Sequence, residues 1–256
     1  MAKPLFSCVI PVKGKRPYFD EALASLHSQD FGGDLEIIVQ DGDVEPDGGQ
    51  SDALNKGFAK VKGEWLFWLN ADDILLRGAL SKVSQLLRSS TLNSLNSINW
   101  IAGDTIYIGE KGLVHEVRCD ARWHPWFGRH LSVWTGGPSS FFRRSLWARM
   151  GGLDVNLKYV MDIDIWTRWA RAGERFVGVN DYLWGFRMHP GSATMGGSNE
   201  VAHRAEKNAL LVRYGIRHHC FWQNASRSLS VLDGRWFKRK CDSMLFRGKH
   251  WEEIGL

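Results

Sequence analysis

The segment Gly63-Glu64-Trp65-Leu66-Phe67-Trp68-Leu69-Asn70-Ala71-Asp72-Asp73 limits the possible folds more than any other. From Trp65 to Leu69 every side chain is apolar, so a strand here has no face to offer to water. Such a strand must be covered on both sides, which places it centrally in a parallel sheet between layers of helix. The surrounding pattern agrees. Leu5 to Val12 and Leu35 to Val39 read as further strands. Tyr18 to Ser28, Ser51 to Lys60 and 77–88 carry apolar residues at helical spacing. Strand–helix alternation of this kind predicts an α/β fold with a doubly wound sheet, mixed but mostly parallel and flanked by helices.

The second half is less regular. Trp100 to Ile108 and Leu113 to Val117 predict a strand pair around Gly109-Glu110-Lys111-Gly112, and Ser139 to Arg143 a further strand. Gly151-Gly152 ends a short helix, and Asp162 to Ala172 forms an amphipathic one. Strands near 175–179 and 182–188 lead to His189-Pro190-Gly191, and from Asn199 the pattern is helical. The expected organisation is one domain over 1–198, divided into a first part (1–110) and a second part (111–198). A helical, basic C-terminal extension follows over 199–256.

Charge is unevenly distributed. The chain carries +5 overall, yet residues 201–256 hold 11 Lys and Arg against 5 Asp and Glu. In this tail Arg235, Lys238, Arg239, Lys240, Arg247 and Lys249 interleave with Trp236, Phe237, Leu245, Phe246 and Trp251. That mixture suits an anionic membrane surface or a solvated basic helix, and no nucleic-acid partner is expected. No apolar run approaches the roughly 18 residues that span a bilayer. Met1-Ala2-Lys3-Pro4 does not open a signal peptide, so the expected location is the cytoplasm, with the inner face of the cell membrane as a peripheral station. Cys8, Cys119, Cys220 and Cys241 form no CxxC pair, which argues against a zinc knuckle or a disulfide framework. A P-loop is excluded because no GxxxxGK[ST] occurs. A zinc protease is excluded because His115-Glu116 lacks a second His at the required spacing.

Ligands of open α/β sheets bind beyond the carboxyl ends of the strands. Asp72 and Asp73 stand at that end of the most apolar strand, where two adjacent carboxylates need a cation or a basic group between them. An oxygen-rich site suits Mg²⁺ or Mn²⁺ shared with substrate phosphates. The alternative is a helix cap before Leu75-Leu76. Asp41 ends another strand, either facing the same crevice or serving as a turn residue before Gly42.

Residues 49–58, Gly-Gln-Ser-Asp-Ala-Leu-Asn-Lys-Gly-Phe, followed by the Gly63–Asp73 segment, resemble inverting family 2 glycosyltransferases of the GT-A fold. The family's later motifs follow in order: Phe141-Phe142-Arg143-Arg144-Ser145-Leu146, Gly151-Gly152-Leu153-Asp154, Met161-Asp162-Ile163-Asp164-Ile165-Trp166, and Arg187-Met188-His189-Pro190-Gly191-Ser192. The resemblance covers roughly residues 5 to 195. It implies a nucleotide-sugar donor, a saccharide or lipid-linked saccharide acceptor, and Mn²⁺ or Mg²⁺ as cofactor. Asp72 becomes a metal ligand, Asp73 a further candidate ligand, and His189 fits a position that reaches the metal or the diphosphate. Asp162 matches the general base. Pro11 and Val12 border the nucleobase and Asp41 the nucleoside, with Asp52, Lys56, Asn70, Ala71 and Arg187 in the nucleotide site. Two positions depart from the pattern: Asn70 stands where the first acid of the Asp-x-Asp motif would be, and Met161 replaces a Glu. The short separation between Asp41-Gly42 and Gly49 predicts a nucleotide pocket open on that side.

Several residues carry a second reading. Asp162 could cap its helix, Arg187 could pair with an acid on a neighbouring strand, and His189 could be a turn residue. Trp65, Trp68, Trp166 and Trp169 fit core spacing. Trp123, Trp126 and Trp134, amid Arg122, His124, Arg129 and His130, either pack or offer a platform to an acceptor. Two competing functions share parts of this pattern. A sugar-phosphate nucleotidyltransferase would use Lys13-Gly14-Lys15-Arg16 as a phosphate loop, and a non-catalytic nucleotide- or membrane-binding module would tolerate Asn70 and Met161.

Overall fold

The computed structural model describes residues 3–89, 98–119, 135–192, 199–216 and 234–254. Among these, eight strands form one mixed sheet and seven helices flank it. The strands are β1 (Phe6–Val12), β2 (Leu35–Asp41), β3 (Trp65–Trp68), β4 (Ile74–Leu75), β5 (Trp100–Ile108), β6 (Val114–Arg118), β7 (Ser140–Arg143) and β8 (Phe176–Arg187). The helices are α1 (Phe19–His27), α2 (Gln50–Lys60), α3 (Ala79–Arg88), α4 (Arg144–Met150), α5 (Met161–Arg171), α6 (Asn199–Arg213) and α7 (Arg235–Phe246). The sheet order is β2-β1-β3-β7-β5-β8-β4, with β6 pairing β5.

The two-sided apolar strand is explained by what covers it. Trp65, Phe67 and Leu69 pack with Ala22 and Leu26 of α1 and Leu80 and Val83 of α3. Leu66 and Trp68 turn the other way, towards Leu54 and Phe58 of α2, Leu146 of α4 and Trp166 and Trp169 of α5. Trp166 stacks between Trp68, at 5.6 Å between ring centroids, and Trp100, at 4.9 Å. Trp65, Trp68, Trp166 and Trp169 are therefore core residues, as their spacing predicts.

Parallel pairing is confined to β2-β1-β3 and to β5-β8. The strands β7, β6 and β4 all join antiparallel. One detail differs from the sequence-based expectation. Where two strands were expected, Phe176–Arg187 forms one, because the polar Asn180-Asp181 pair lies in its course without ending it. Asp181 ion-pairs with Lys82 at 2.8 Å, Asn180 accepts a bond from Arg235 at 2.7 Å, and the register with β5 shifts around Asp104. Helix α6, in the expected C-terminal extension, reaches the core through Leu210, which is buried in the same cluster as Trp166.

Helix α2 approaches β1 through Gly57. A Cβ there would fall inside the van der Waals envelope of Val9 Cγ1, a fully buried side chain in the middle of the sheet. Gly57→Ala should destabilise the protein by about 1–3 kcal/mol, the usual cost of overpacking. In urea denaturation this is expected as a lowered midpoint with an unchanged slope.

Candidate active site

Parallel register brings three strand ends to one edge. Val12 pairs with Asp41, Val9 with Trp68, and Leu69 N–H donates to Val9 O at 3.1 Å. Pro11, Val12 and Asp41 thus stand beside the segment Asn70–Asp73 that leaves β3. Asp41 also serves the turn: its Oδ1 accepts Asp43 N–H at 2.8 Å. The loop 43–49 is drawn in by Asp52, which accepts Gly48 N–H at 2.9 Å and pairs with Lys56 at the same distance. These bonds hold the Asp52 carboxyl below its usual range. Lys56 also donates to Pro46 O at 2.7 Å.

Asp72 and Asp73 separate sharply. Helix α3 begins only at Ala79, after Gly78, so neither residue caps it. Asp72 remains half-exposed, and its Oδ2 lies 2.9 Å from His189 Nε2. His189 O accepts Ser192 N–H at 3.0 Å, so this residue is both the turn residue and the partner of Asp72. Asp73 is buried, with Oδ1 accepting Arg187 N–H at 2.9 Å and Oδ2 accepting from Asn70 Nδ2 at 2.7 Å. Burial first, and the Asp72 charge second, raise its carboxyl well above the usual range. Asp73 therefore braces the loop from inside, leaving Asp72 as the accessible carboxylate. Ala71 is buried too, so only its backbone is on offer to a nucleotide.

Arg187 turns inward. Its side chain is 1% exposed and takes protein partners. Nε donates to Asp72 O at 3.0 Å, and Nη1 to Gly109 O and Glu110 O at 3.3 and 3.2 Å. Nη2 ion-pairs with Glu21 Oε2 at 2.7 Å, off hydrogen-bond alignment. The guanidinium also lies over the Tyr18 ring, 4.5 Å from its centroid. Its acid, Glu21, is on helix α1 and not on a neighbouring strand.

A chain of hydrogen bonds runs from Asn70 to the start of α5. Gln50 Nε2 donates to Asn70 Oδ1 at 2.7 Å, and the next residue, Ser51, donates to Leu157 O at 2.8 Å while lying 3.0 Å from Met161 Sδ. One turn further along α2, Asn55 exchanges two 2.9 Å bonds with the Leu153 backbone. Motifs about 100 residues apart in sequence are thus in direct contact, which ties the segment before Asp72 to the residue preceding Asp162. Asn70 and Met161, the two departures from the resemblance, both belong to this chain.

Asp162 lies in the first turn of α5 but does not cap it, since Val160 occupies the cap position. Its Oδ1 accepts Ile163 N–H at 2.8 Å. Burial pushes its carboxyl up to about 6, with backbone N–H bonds opposing the shift. Asp164 is internal, held by Arg168 at 2.9 Å and by the Tyr214 hydroxyl at 2.6 Å. The segment leading into α5 is clasped by Glu206 of α6, whose carboxylate accepts N–H bonds from Lys158, Tyr159 and Val160 at 2.8, 2.6 and 3.0 Å. Glu206, Gln50 and Glu21 escape sequence reading, because their partners are backbone groups or residues brought near only by folding.

Asp72 and His189 present a carboxylate oxygen and an imidazole nitrogen side by side, a donor set that suits Mn²⁺ or Mg²⁺. No group of three or more His, Cys, Asp or Glu able to hold a metal occurs among the described residues. Two protein ligands nevertheless fit a cation whose other positions are taken by substrate phosphates and water. A shallow depression near Leu26, Phe31, Leu35 and Ile37 lies at the opposite end of β2 and contains no acid. The platform residues Trp123, Trp126 and Trp134 lie outside the described residues.

Comparison with known proteins points in one direction. The Glycosyl transferase family 2 model matches residues 44–98. An uncharacterized glycosyltransferase of Rickettsia typhi is 24% identical over 224 residues, spanning 77% of this chain and 68% of the relative. An uncharacterized protein of Mycobacterium tuberculosis is 26% identical over 200 residues, spanning 65% and 62%. Among solved structures, S. aureus TarS 1-349 in complex with UDP-GlcNAc superposes with a TM-score of 0.57 at 16% identity, covering 81% of this chain and 65% of that one. The mannosyltransferase PcManGT from Pyrobaculum calidifontis, in complex with GDP-Man and Mn²⁺, superposes with a TM-score of 0.57 at 18% identity, covering 83% and 65%. The chain thus spans just under two thirds of these structures. They establish the GT-A fold, and together with the family match they support a family 2 glycosyltransferase.

The Glu206 clasp gives a test of how α5 is held. Removing its carboxylate leaves three N–H groups without partners, and Glu206→Ala should lower stability by about 1–3 kcal/mol. Urea denaturation reads the loss directly.

Proposed function

We propose that this protein transfers a sugar, with inversion, from a nucleoside-diphosphate sugar to a hydroxyl group of a saccharide or lipid-linked saccharide. The observations that support the proposal are the Asp72–His189 pair and the contacts that run from Asn70, two residues before Asp72, through Gln50 and Ser51 to Met161, the residue before Asp162. The donor enters over Pro11, Val12 and Asp41, with its diphosphate directed towards Asp72. The Asp52–Lys56 pair shapes the loop beside it. Asp72 and His189 would hold the cation, which when bound neutralises the charge gained by the leaving diphosphate.

Asp162 supplies the base. It accepts the proton of the acceptor hydroxyl as that oxygen bonds to the anomeric carbon and the bond from that carbon to the diphosphate oxygen breaks. A placed base contributes about 10²- to 10⁴-fold in rate, and alignment of donor and acceptor adds to it. With its carboxyl pushed up to about 6, Asp162 is ionised at neutral pH yet remains basic enough to take a proton. The nucleotidyltransferase reading is weaker, because Gly14 N–H already donates to Asp43 Oδ2 at 2.7 Å and leaves the Lys13–Arg16 loop less able to cradle phosphate.

Turnover is expected to rise with pH through about 6, tracking one deprotonation, and then to level. Asp162→Asn should reduce the turnover number about 10²- to 10⁴-fold while leaving donor affinity within a few-fold. A folded carboxyl raised above its unfolded value loses stability as pH rises, so the same variant should melt no lower than wild type at pH 8. Wild-type turnover in this variant would remove Asp162 from the base role. Thermal shifts with a panel of nucleoside diphosphates, with and without Mn²⁺, test the donor site. One nucleoside diphosphate is expected to stabilise the protein more with Mn²⁺ than without, and Asp72→Ala should abolish that difference.

A further inference from the structure

Helix α7 is an amphipathic element held to the protein by one side only. Its inner side rests on β8: Asp242 accepts the Tyr182 hydroxyl bond at 2.7 Å, Lys238 lies 4.2 Å from the centre of the Tyr182 ring, and Phe246 packs edge-on to that ring. None of its residues is buried. Trp236, Phe237, Met244 and Leu245 are exposed, Met244 to 84%. At 100° per residue, Trp236, Phe237, Lys240 and Met244 fall on one outward arc. Arg239, Lys240, Arg247 and Lys249 border these apolar groups and are themselves exposed or nearly so.

Exposed aromatic and thioether side chains on a docked helix call for a covering surface, since water is an unfavourable neighbour for them. The basic border selects the chemistry of that surface. We infer that the outward face of α7 lies on an anionic lipid bilayer, with Trp236, Phe237 and Met244 entering the headgroup boundary and Arg239, Lys240, Arg247 and Lys249 pairing with lipid phosphates. The helix is also wired to the candidate site. Past its end, residues 248–251 bond to the β5–β6 hairpin, and Trp251 Nε1 donates to Glu21 Oε1 at 2.9 Å, the same carboxylate that pairs with Arg187. A bilayer under α7 would therefore sit against the part of the fold that supports Asp72, suiting an acceptor resident in lipid.

Vesicle cosedimentation tests this without reference to transfer activity, so failure of the transferase reading would leave the result unaffected. The full chain is expected to pellet with phosphatidylglycerol-containing vesicles at low salt, to release as salt rises, and to stay in solution with pure phosphatidylcholine. Trp236→Ser with Phe237→Ser should weaken binding at least ten-fold, as should Lys240→Glu with Arg239→Glu, with unchanged circular dichroism. Undiminished binding by both variants, or no binding to the anionic vesicles at low salt, would overturn the inference. A concentration-dependent dimer that these variants abolish, without vesicle binding, would overturn it in favour of a second copy as the partner.

Discussion

A buried cation holds the candidate site together. The Arg187 guanidinium lies in the interior, where an unpaired charge would cost several kcal/mol. It is accommodated because five groups from distant parts of the chain converge on it: the Asp72, Gly109 and Glu110 carbonyls, the Glu21 carboxylate and the Tyr18 ring. Its own backbone N–H then fixes Asp73, and Asp73 fixes Asn70. The loop beyond β3 is thereby held by its backbone and by one interior carboxylate, which leaves the Asp72 side chain available at the surface beside His189.

Two acids in this structure show how environment divides roles among chemically identical groups. Asp73 and Asp162 both have raised affinities for a proton, chiefly through desolvation. Asp73 has both oxygens committed to internal donors and no route to a substrate. Asp162 has one oxygen on its own helix's N–H, and its shift to about 6 places it where proton uptake is useful near neutral pH. The first is structural, and the second is suited to chemistry.

Sheet and helix positions were legible because apolar periodicity reports burial directly. The run Trp65–Leu69 required two covering layers, and the structure has them. Asp72 stood out as a carboxylate at the end of an apolar strand, whereas Asp162 was singled out by the family resemblance. The inward contacts of Arg187 and Asp73 were not legible, because a charged residue at a strand end looks the same in sequence whether it points into a crevice or into the protein. The deciding partners, Glu21 and the Gly109 and Glu110 carbonyls, lie roughly 80 to 170 residues away. Asn180-Asp181 resembled a turn for the same reason: the hydrogen bond from Arg235 to Asn180 and the ion pair of Asp181 with Lys82 exist only after folding. The Glu206 clasp on 158–160 was invisible, since it uses backbone groups that carry no sequence signature.

The central claim is that Asp72 and His189 grip a cation on the donor diphosphate while Asp162 faces the acceptor across the same rim. A crystal structure with the stabilising nucleoside diphosphate and Mn²⁺, with data collected at the manganese absorption edge, tests this most directly. The expected result is an anomalous peak within coordination distance of an Asp72 carboxylate oxygen and His189 Nε2, bridged to the diphosphate, with the Asp162 carboxylate lining the open side of the same cavity. A diphosphate bound elsewhere, or bound with Asp162 facing away from it, would contradict the claim.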